Sequence, residues 1–257
     1  MRIALVAGAS SGIGRAIAVE LCRNYAETFD ELWLLARRLP GLEETAKLCG
    51  TDRIKLVEAD IRSSESLEKV SSLLNDGEKS ISCLVLSAGT GFYGDFKDSD
   101  KKLAEDVIDL NCRANAAVLG EFLPYCGKYA KIINIASAAA FSPQPGFAVY
   151  AASKAFVFSF SRAVSKELKK DGITVTAVCP GPCDTEFLKK ARDGKELPAY
   201  KQKSVTTPEN VARKALKAAA KGKAVCIPTF SMKAAYAAGK ILPAGFVMNF
   251  LYKGNRN

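Results

Sequence analysis

The chain of 257 residues contains no histidine. That absence removes every Ser-His-Asp or Cys-His triad and any histidine-ligated metal site. Acid–base work must fall to tyrosine, lysine, aspartate, glutamate or cysteine. The eight cysteines (22, 49, 83, 112, 126, 179, 183, 226) form no CxxC pair, and several sit inside apolar runs such as ISCLVLSAG and ITVTAVCPG. They read as small buried hydrophobes in a reducing compartment, which points to the cytoplasm. No apolar run reaches the roughly eighteen residues of a membrane span. The opening MRIALVAGAS leads straight into a glycine-rich loop and leaves no room for a removable leader. No linker, low-complexity tract or repeat divides the chain, so a single domain over residues 1–257 is expected. Helix-turn-helix, zinc-finger and aromatic RNA-binding signatures are also missing. The net charge of +10 is spread along predicted helix faces, and nucleic acid is not expected as a partner.

What is present is an alternation of short apolar runs and helical patterns. RIALVAG, ELWLLARR, IKLVEAD, ISCLVLSAG, AKIINIAS, ITVTAVCPG and KAVCIP read as strands, and the wholly apolar first run as one buried on both faces. Helices between them make parallel βαβ units, and ligands in such sheets bind beyond the strands' carboxyl ends. The chemistry-bearing residues fall at those ends. After the first strand comes Gly8-Ala-Ser10-Ser11-Gly12-Ile13-Gly14 and a helical pattern. Strand, glycine turn and helix in that order direct backbone amides at an anion and let a pyrophosphate come close. The spacing, G-x-x-x-G-x-G, differs from the commoner G-x-G-x-x-G. The second strand ends in Arg37 and Arg38 with no carboxylate, which favours the 2′-phosphate of NADP over the free hydroxyl of NAD; the alternative is a pair of surface arginines. Asp60 and Ile61 follow the third strand, with Asp60 placed to accept from an adenine amino group. Ser87-Ala88-Gly89 closes the fourth, small enough to let backbone lie against a cofactor. Pro180 and Gly181 follow the sixth.

Ser137 ends the fifth strand, Tyr150 lies thirteen positions on, and Lys154 is four beyond that at the start of a helical pattern. Residues four apart share a helix face, so an ammonium sits beside a phenol. Such a cation lowers the phenol's pKa from about 10 and suits it to trade protons near neutrality. Asn111 falls in mid-helix, where it either bonds solvent or has a task. Phe92, Tyr93 and Phe96 offer either pocket walls or surface packing.

Taken together, AGASSGIG, Asp60, SAG, Asn111, Ser137 with Tyr150 and Lys154, and PGPCDT resemble the short-chain dehydrogenase/reductase family, its NADP-preferring members in particular, over residues 1 to about 185. The resemblance implies a doubly wound, mostly parallel Rossmann sheet of about seven strands with helices on both faces, NADP(H), and an active site of Asn111, Ser137, Tyr150 and Lys154. It further implies that Tyr150 exchanges the proton, Ser137 steadies the substrate oxygen, Lys154 holds the nicotinamide ribose, Asn111 holds a relay water, and Thr185 with the backbone near Cys183 fixes the carboxamide. Two positions depart from the pattern: Ala7 replaces the usual threonine of the glycine motif, and Ser87 the first asparagine of N-N-A-G or N-S-A-G. The family's habit implies a homodimer or homotetramer; the apolar outer positions Phe156, Phe158 and Phe160 would allow it.

Phe92, Phe141, Phe147 and the apolar tail suggest a lipophilic ketone or alcohol. Lys189, Lys190, Lys195, Lys201 and Lys203 hint at an anionic group or are merely solvated. Residues 186–205 read as a polar, weakly helical substrate lid. The tail, 230–257, is read as packing on the substrate side or a partner subunit, with a membrane surface as the alternative. A non-catalytic NADP sensor on the same fold is the rival function.

Overall fold

In the computed structural model, residues 1–75, 77–192, 204–241 and 245 are described. Seven parallel strands form one sheet in the order β3-β2-β1-β4-β5-β6-β7. They are β1 (Arg2–Ala7), β2 (Glu31–Ala36), β3 (Ile54–Glu58), β4 (Ser80–Leu86), β5 (Cys126–Ile135), β6 (Thr174–Val178) and β7 (Val225–Cys226). The order reverses between β1 and β4, the switch point where an open sheet leaves a crevice. Helices connect the strands: α1 (Gly12–Asn24), α2 (Leu39–Cys49), α3 (Ser64–Ser72), α4 (Lys101–Ile108), α5 (Asn115–Phe122), α6 (Ala148–Glu167), α7 (Glu186–Arg192), α8 (Pro208–Ala220) and α9 (Phe230–Ile241). Each strand feeds both faces of the sheet, as its two-residue period requires. Ala4, Val6, Leu32 and Leu34 pack with Ile17 and Leu21 of α1, Leu42 of α2 and Val211 of α8. Their neighbours Ile3, Leu5, Trp33 and Leu35 pack on the opposite side with Leu67 of α3 and Phe122 of α5.

Several helix ends follow from local chemistry. Thr207 caps α8, its hydroxyl accepting from the Asn210 amide at 3.3 Å, with Pro208 at the first position. Ser63 caps α3 in the same way. The helical run through residues 101–125 is less regular than its pattern suggests. Between α4 and α5 the chain makes a wide π turn over Asp109–Ala114, and Pro124 lies in a 3-10 turn, Leu123–Tyr125, that leads into β5. β5 therefore starts at Cys126, four residues before the apolar run that announces it.

Where α5 meets β5, two buried amides face each other. Asn115 Nδ2 donates to Asn134 Oδ1 at 2.8 Å, and Asn134 Nδ2 returns a bond to Asn115 Oδ1 at 2.9 Å. Removing one partner strands the other, at about 1–3 kcal/mol. Asn134→Leu is therefore expected to lower the urea midpoint by an amount corresponding to that cost. Asn115→Leu/Asn134→Leu should recover part of the loss; a double variant no better than the single one would show that the pair does not act as a unit.

Candidate active site

The carboxyl ends of β1 to β6 open into one cleft of about 800 Å³. At its floor the chain leaves β1 through Gly8, at φ 86°, where an added Cβ would stand 2.5 Å from the Ala88 amide nitrogen. A Cβ on Gly14 would meet the Gly8 carbonyl oxygen at 2.2 Å, so α1 can start against the turn only without a side chain there. Ser11 precedes α1 in extended backbone and its hydroxyl makes no cap bond. The helix thus aims its first amides and its positive end into the cleft. Ser10, Ser11, Gly12 and Ile13 line the opening; Gly14 stands behind it as a packing residue.

Arg37 and Arg38 line the cleft at the end of β2, both exposed. Asp60 and Ile61 line it beside β3. The Asp60 carboxylate already has a partner: the Arg62 guanidinium lies 2.9 Å away and the Arg62 amide donates to it at 3.0 Å. Those bonds, with a smaller effect of Arg37, lower the Asp60 pKa. The sequence reading passed over Arg62, although a residue two beyond a loop aspartate is the usual partner of an Asx turn.

Ser137 lies two residues beyond β5, with its Oγ accepting from the Ala139 amide at 3.1 Å. Across the cleft Tyr150 and Lys154 occupy successive turns of α6, and all three are buried. Burial pushes the Tyr150 phenol up to about 12, and the nearby Ser137 hydroxyl, which favours the phenolate, offsets only part of that. Lys154 Nζ donates to the Ile135 carbonyl at 2.9 Å and stands 5.9 Å from the centre of the Tyr150 ring. Burial brings its pKa down to about 8. The expected lowering of the tyrosine by the lysine is therefore not what this arrangement displays. The ammonium is engaged by a β5 carbonyl, and desolvation dominates both groups.

Asn111 is buried in the π turn. Its Nδ2 donates to the Thr90 carbonyl at 2.8 Å and to Ser153 Oγ at 2.9 Å, and its Oδ1 accepts from the Thr90 amide at 2.9 Å. Both N–H groups are committed, leaving only a lone pair of Oδ1 for a water. Ser153, missed by the sequence reading, passes the contact on by donating to the Tyr150 carbonyl at 2.8 Å. Asn111 thus ties the loop after β4 to the turn that carries Tyr150.

Ser87, Ala88 and Gly89 line the cleft below Tyr150; Pro180, Gly181, Cys183 and Thr185 line it beyond β6. The other end is aromatic. Phe147 stacks on Tyr150 at 4.3 Å and Phe187 of α7 approaches from 5.4 Å, while Tyr93 meets Phe147 at 5.8 Å. Phe141 packs on Tyr236 of α9 at 4.7 Å, and Met232 reaches the same wall. Tyr93 is thus a wall residue, whereas Phe92 does not line the cleft and Phe96 is 64 % exposed. α9 lines this end of the cleft. Of the lid, residues 186–192 form α7; Lys195, Lys201 and Lys203 lie outside the described residues, as does the tail beyond 245, and nothing is described of the Lys189 and Lys190 side chains. Among the described residues there is no cluster of potential metal ligands and no helix long and apolar enough to cross a membrane.

The family model for short chain dehydrogenase matches residues 2–196. An uncharacterized oxidoreductase of Staphylococcus epidermidis is 34% identical over 186 residues, 72% of this chain and 79% of that one. Among solved structures, a variant of the actinorhodin polyketide ketoreductase with NADPH superposes with a TM-score of 0.75 at 27% identity, covering 87% of this chain and 94% of its own. A short-chain dehydrogenase from Mycobacterium paratuberculosis bound to NAD gives 0.71 at 27% identity, with the same two coverages. A seven-stranded parallel sheet with its cleft at the switch point, a family match over most of the chain and these relatives agree: the chain belongs to the short-chain dehydrogenase family.

Proposed function

We propose that the protein is an NADP(H)-dependent oxidoreductase that interconverts a ketone and a secondary alcohol on a lipophilic substrate, with Tyr150 as proton donor and acceptor. The observation that carries this reading is the convergence of three buried side chains on one cleft, Ser137 from beyond the end of β5 with Tyr150 and Lys154 one turn apart on α6. The cradle suits a dinucleotide, because Gly8 approaches Ala88 more closely than any Cβ permits and the first turn of α1 opens beside it.

When bound, the nicotinamide supplies or accepts the hydride, which is its own chemistry. The chain's residues would do the rest. The glycine turn holds the pyrophosphate, and Arg37 and Arg38 hold the 2′-phosphate. Thr185, whose hydroxyl donates to the Cys183 carbonyl at 3.2 Å, and the backbone at Cys183 fix the carboxamide. Ser137 donates to the substrate oxygen and steadies the negative charge that grows there in reduction. Tyr150 gives its proton to that oxygen, or takes it in the reverse direction. Lys154, whose ordinary charge is weakened by burial, regains a reason to be protonated once the phenolate forms beside it. It would also hold the ribose hydroxyls. Asn111 positions the Tyr150 turn through Ser153.

The wall built by Phe141, Phe147, Phe187 and Met232 favours an apolar carbonyl compound. Eight free thiols accord with a reducing cytoplasm. Phe156, exposed on α6 and stacked at 5.6 Å on the partly buried Phe160, suits a homodimer or homotetramer interface, whereas Phe158 is not an outer position: it packs inward against Phe141 and Tyr236.

In a carbonyl-dependent NADPH oxidation assay, Tyr150→Phe should still bind NADPH but lose turnover by about 10²-fold or more. Comparable turnover in both proteins would remove the assigned role, and no turnover in the wild type across a carbonyl panel would favour the NADP sensor. Arg37→Asp should move the NADPH:NADH ratio of kcat/KM towards NADH, since a carboxylate repels the 2′-phosphate and accepts from a free hydroxyl. An unchanged ratio would count against Arg37.

Lys154 makes a third test. Its folded pKa of about 8 lies below the ordinary 10.5, so the unfolded chain holds more protons between those values and stability rises with pH through that window. The unfolding free energy of the wild type minus that of Lys154→Met should climb by roughly 1–3 kcal/mol between about pH 7 and pH 10. A flat difference would mean that burial does not strain this ammonium.

A further inference from the structure

Away from the cleft, α1 and α2 run side by side along the same face of the sheet, with Arg15 Nε donating to Thr45 Oγ1 at 3.1 Å between them. Cys22 lies seven residues beyond Arg15 and Cys49 four beyond Thr45. Steps of seven and four return a helix to nearly the same face, so each cysteine sits on the stripe by which its helix already touches the other. The two side chains share one apolar cluster, and each thiol shifts the titration of the other. Cys49 is 9% exposed, whereas Cys22 is only half-buried and open to solvent. Positive charge surrounds the pair. Arg23 is the next residue of α1, and the Arg53 guanidinium reaches over from the start of β3, donating to the Ala26 and Phe29 carbonyls at 3.2 and 3.3 Å. Cys49, and to a lesser extent Arg53, lower the Cys22 pKa, while Cys22 and burial raise that of Cys49. The partly exposed Cys22 is thus the thiol prepared to attack.

We propose that Cys22 and Cys49 form a redox modification site that takes up a reversible intrachain disulfide by exchange with a small disulfide such as glutathione disulfide. The Cys22 thiolate attacks one sulfur of that molecule; its S–S bond breaks and one glutathione thiolate leaves. Cys49, deprotonated, then attacks the Cys22 sulfur and expels the second glutathione. Two cysteine thiols are oxidised to one disulfide, one glutathione disulfide is reduced to two thiols, and the two protons pass to them. The bond closes a loop that contains β2, Arg37 and Arg38, and joins the helix halves remote from the cleft. About ten residues of helix, roughly 15 Å, separate Cys22 from the glycine turn, so the site is distinct from the nicotinamide chemistry. The other buried cysteines, Cys83, Cys179, Cys183 and Cys226, are all raised by burial, and none of them adjoins a thiol whose pKa is lowered as that of Cys22 is.

The test uses the full chain incubated with glutathione disulfide, followed by alkylation of remaining thiols and peptide mapping. The wild type should lose two hydrogens in intact mass, yield a Cys22–Cys49 linked peptide, and return to eight alkylated thiols after dithiothreitol. Cys49→Ser should stop with one glutathione on Cys22, and Cys22→Ser should carry neither bond nor adduct. The oxidised wild type should melt above the reduced form, because the link constrains the unfolded chain. A persistent glutathione on Cys22 in the wild type, a link to any other cysteine, or eight unmodified thiols would overturn the proposal. The wild-type map decides even if a variant fails to fold.

Discussion

The hydrogen bond from Lys154 Nζ to the Ile135 carbonyl joins α6 to the end of β5 in a place where water is excluded. An ammonium taken out of water is costly unless it is paired, and the β5 carbonyl offsets part of that cost. Ser137 lies two residues beyond Ile135 and Tyr150 one turn before Lys154. The one contact therefore fixes the distance between two hydroxyls borne by different elements.

The surroundings reinforce that link from the other side. Asn111 binds the Thr90 backbone in both directions and reaches Ser153, which in turn holds the Tyr150 carbonyl. A regular α-helix through residues 101–122 would turn its residues at a different pitch; the π turn at Asp109–Ala114 widens the spiral where Asn111 must face the β4 loop. Phe147 and Phe187 cover the Tyr150 ring, so the phenol is dry as well as positioned. Dryness raises its pKa in the free protein, and the same dryness would strengthen any hydrogen bond or charge placed beside it.

The parallel sheet supplies the remaining constraint. All strands point one way, so all of their carboxyl ends lie along one edge, and residues far apart in sequence are gathered without further design. The order reversal between β1 and β4 parts the connecting loops there, and Gly8 and Gly14 let the first turn and α1 close on that gap.

Composition and pattern alone determined much of this. Short apolar runs alternating with helical patterns had to be strands of a parallel sheet, the missing histidines confined acid–base chemistry to a few residue types, and Ser137, Tyr150 and Lys154 stood where strand and helix logic brings them together. What the linear chain could not express were contacts made across elements. Arg62 occupies Asp60, Ser153 relays Asn111, Phe187 covers Tyr150, and burial rather than a neighbouring charge governs both Tyr150 and Lys154. Periodicity reports which face of an element is apolar, but desolvation and hydrogen-bond partnership depend on what the neighbouring element brings to that face, and only the folded arrangement decides that.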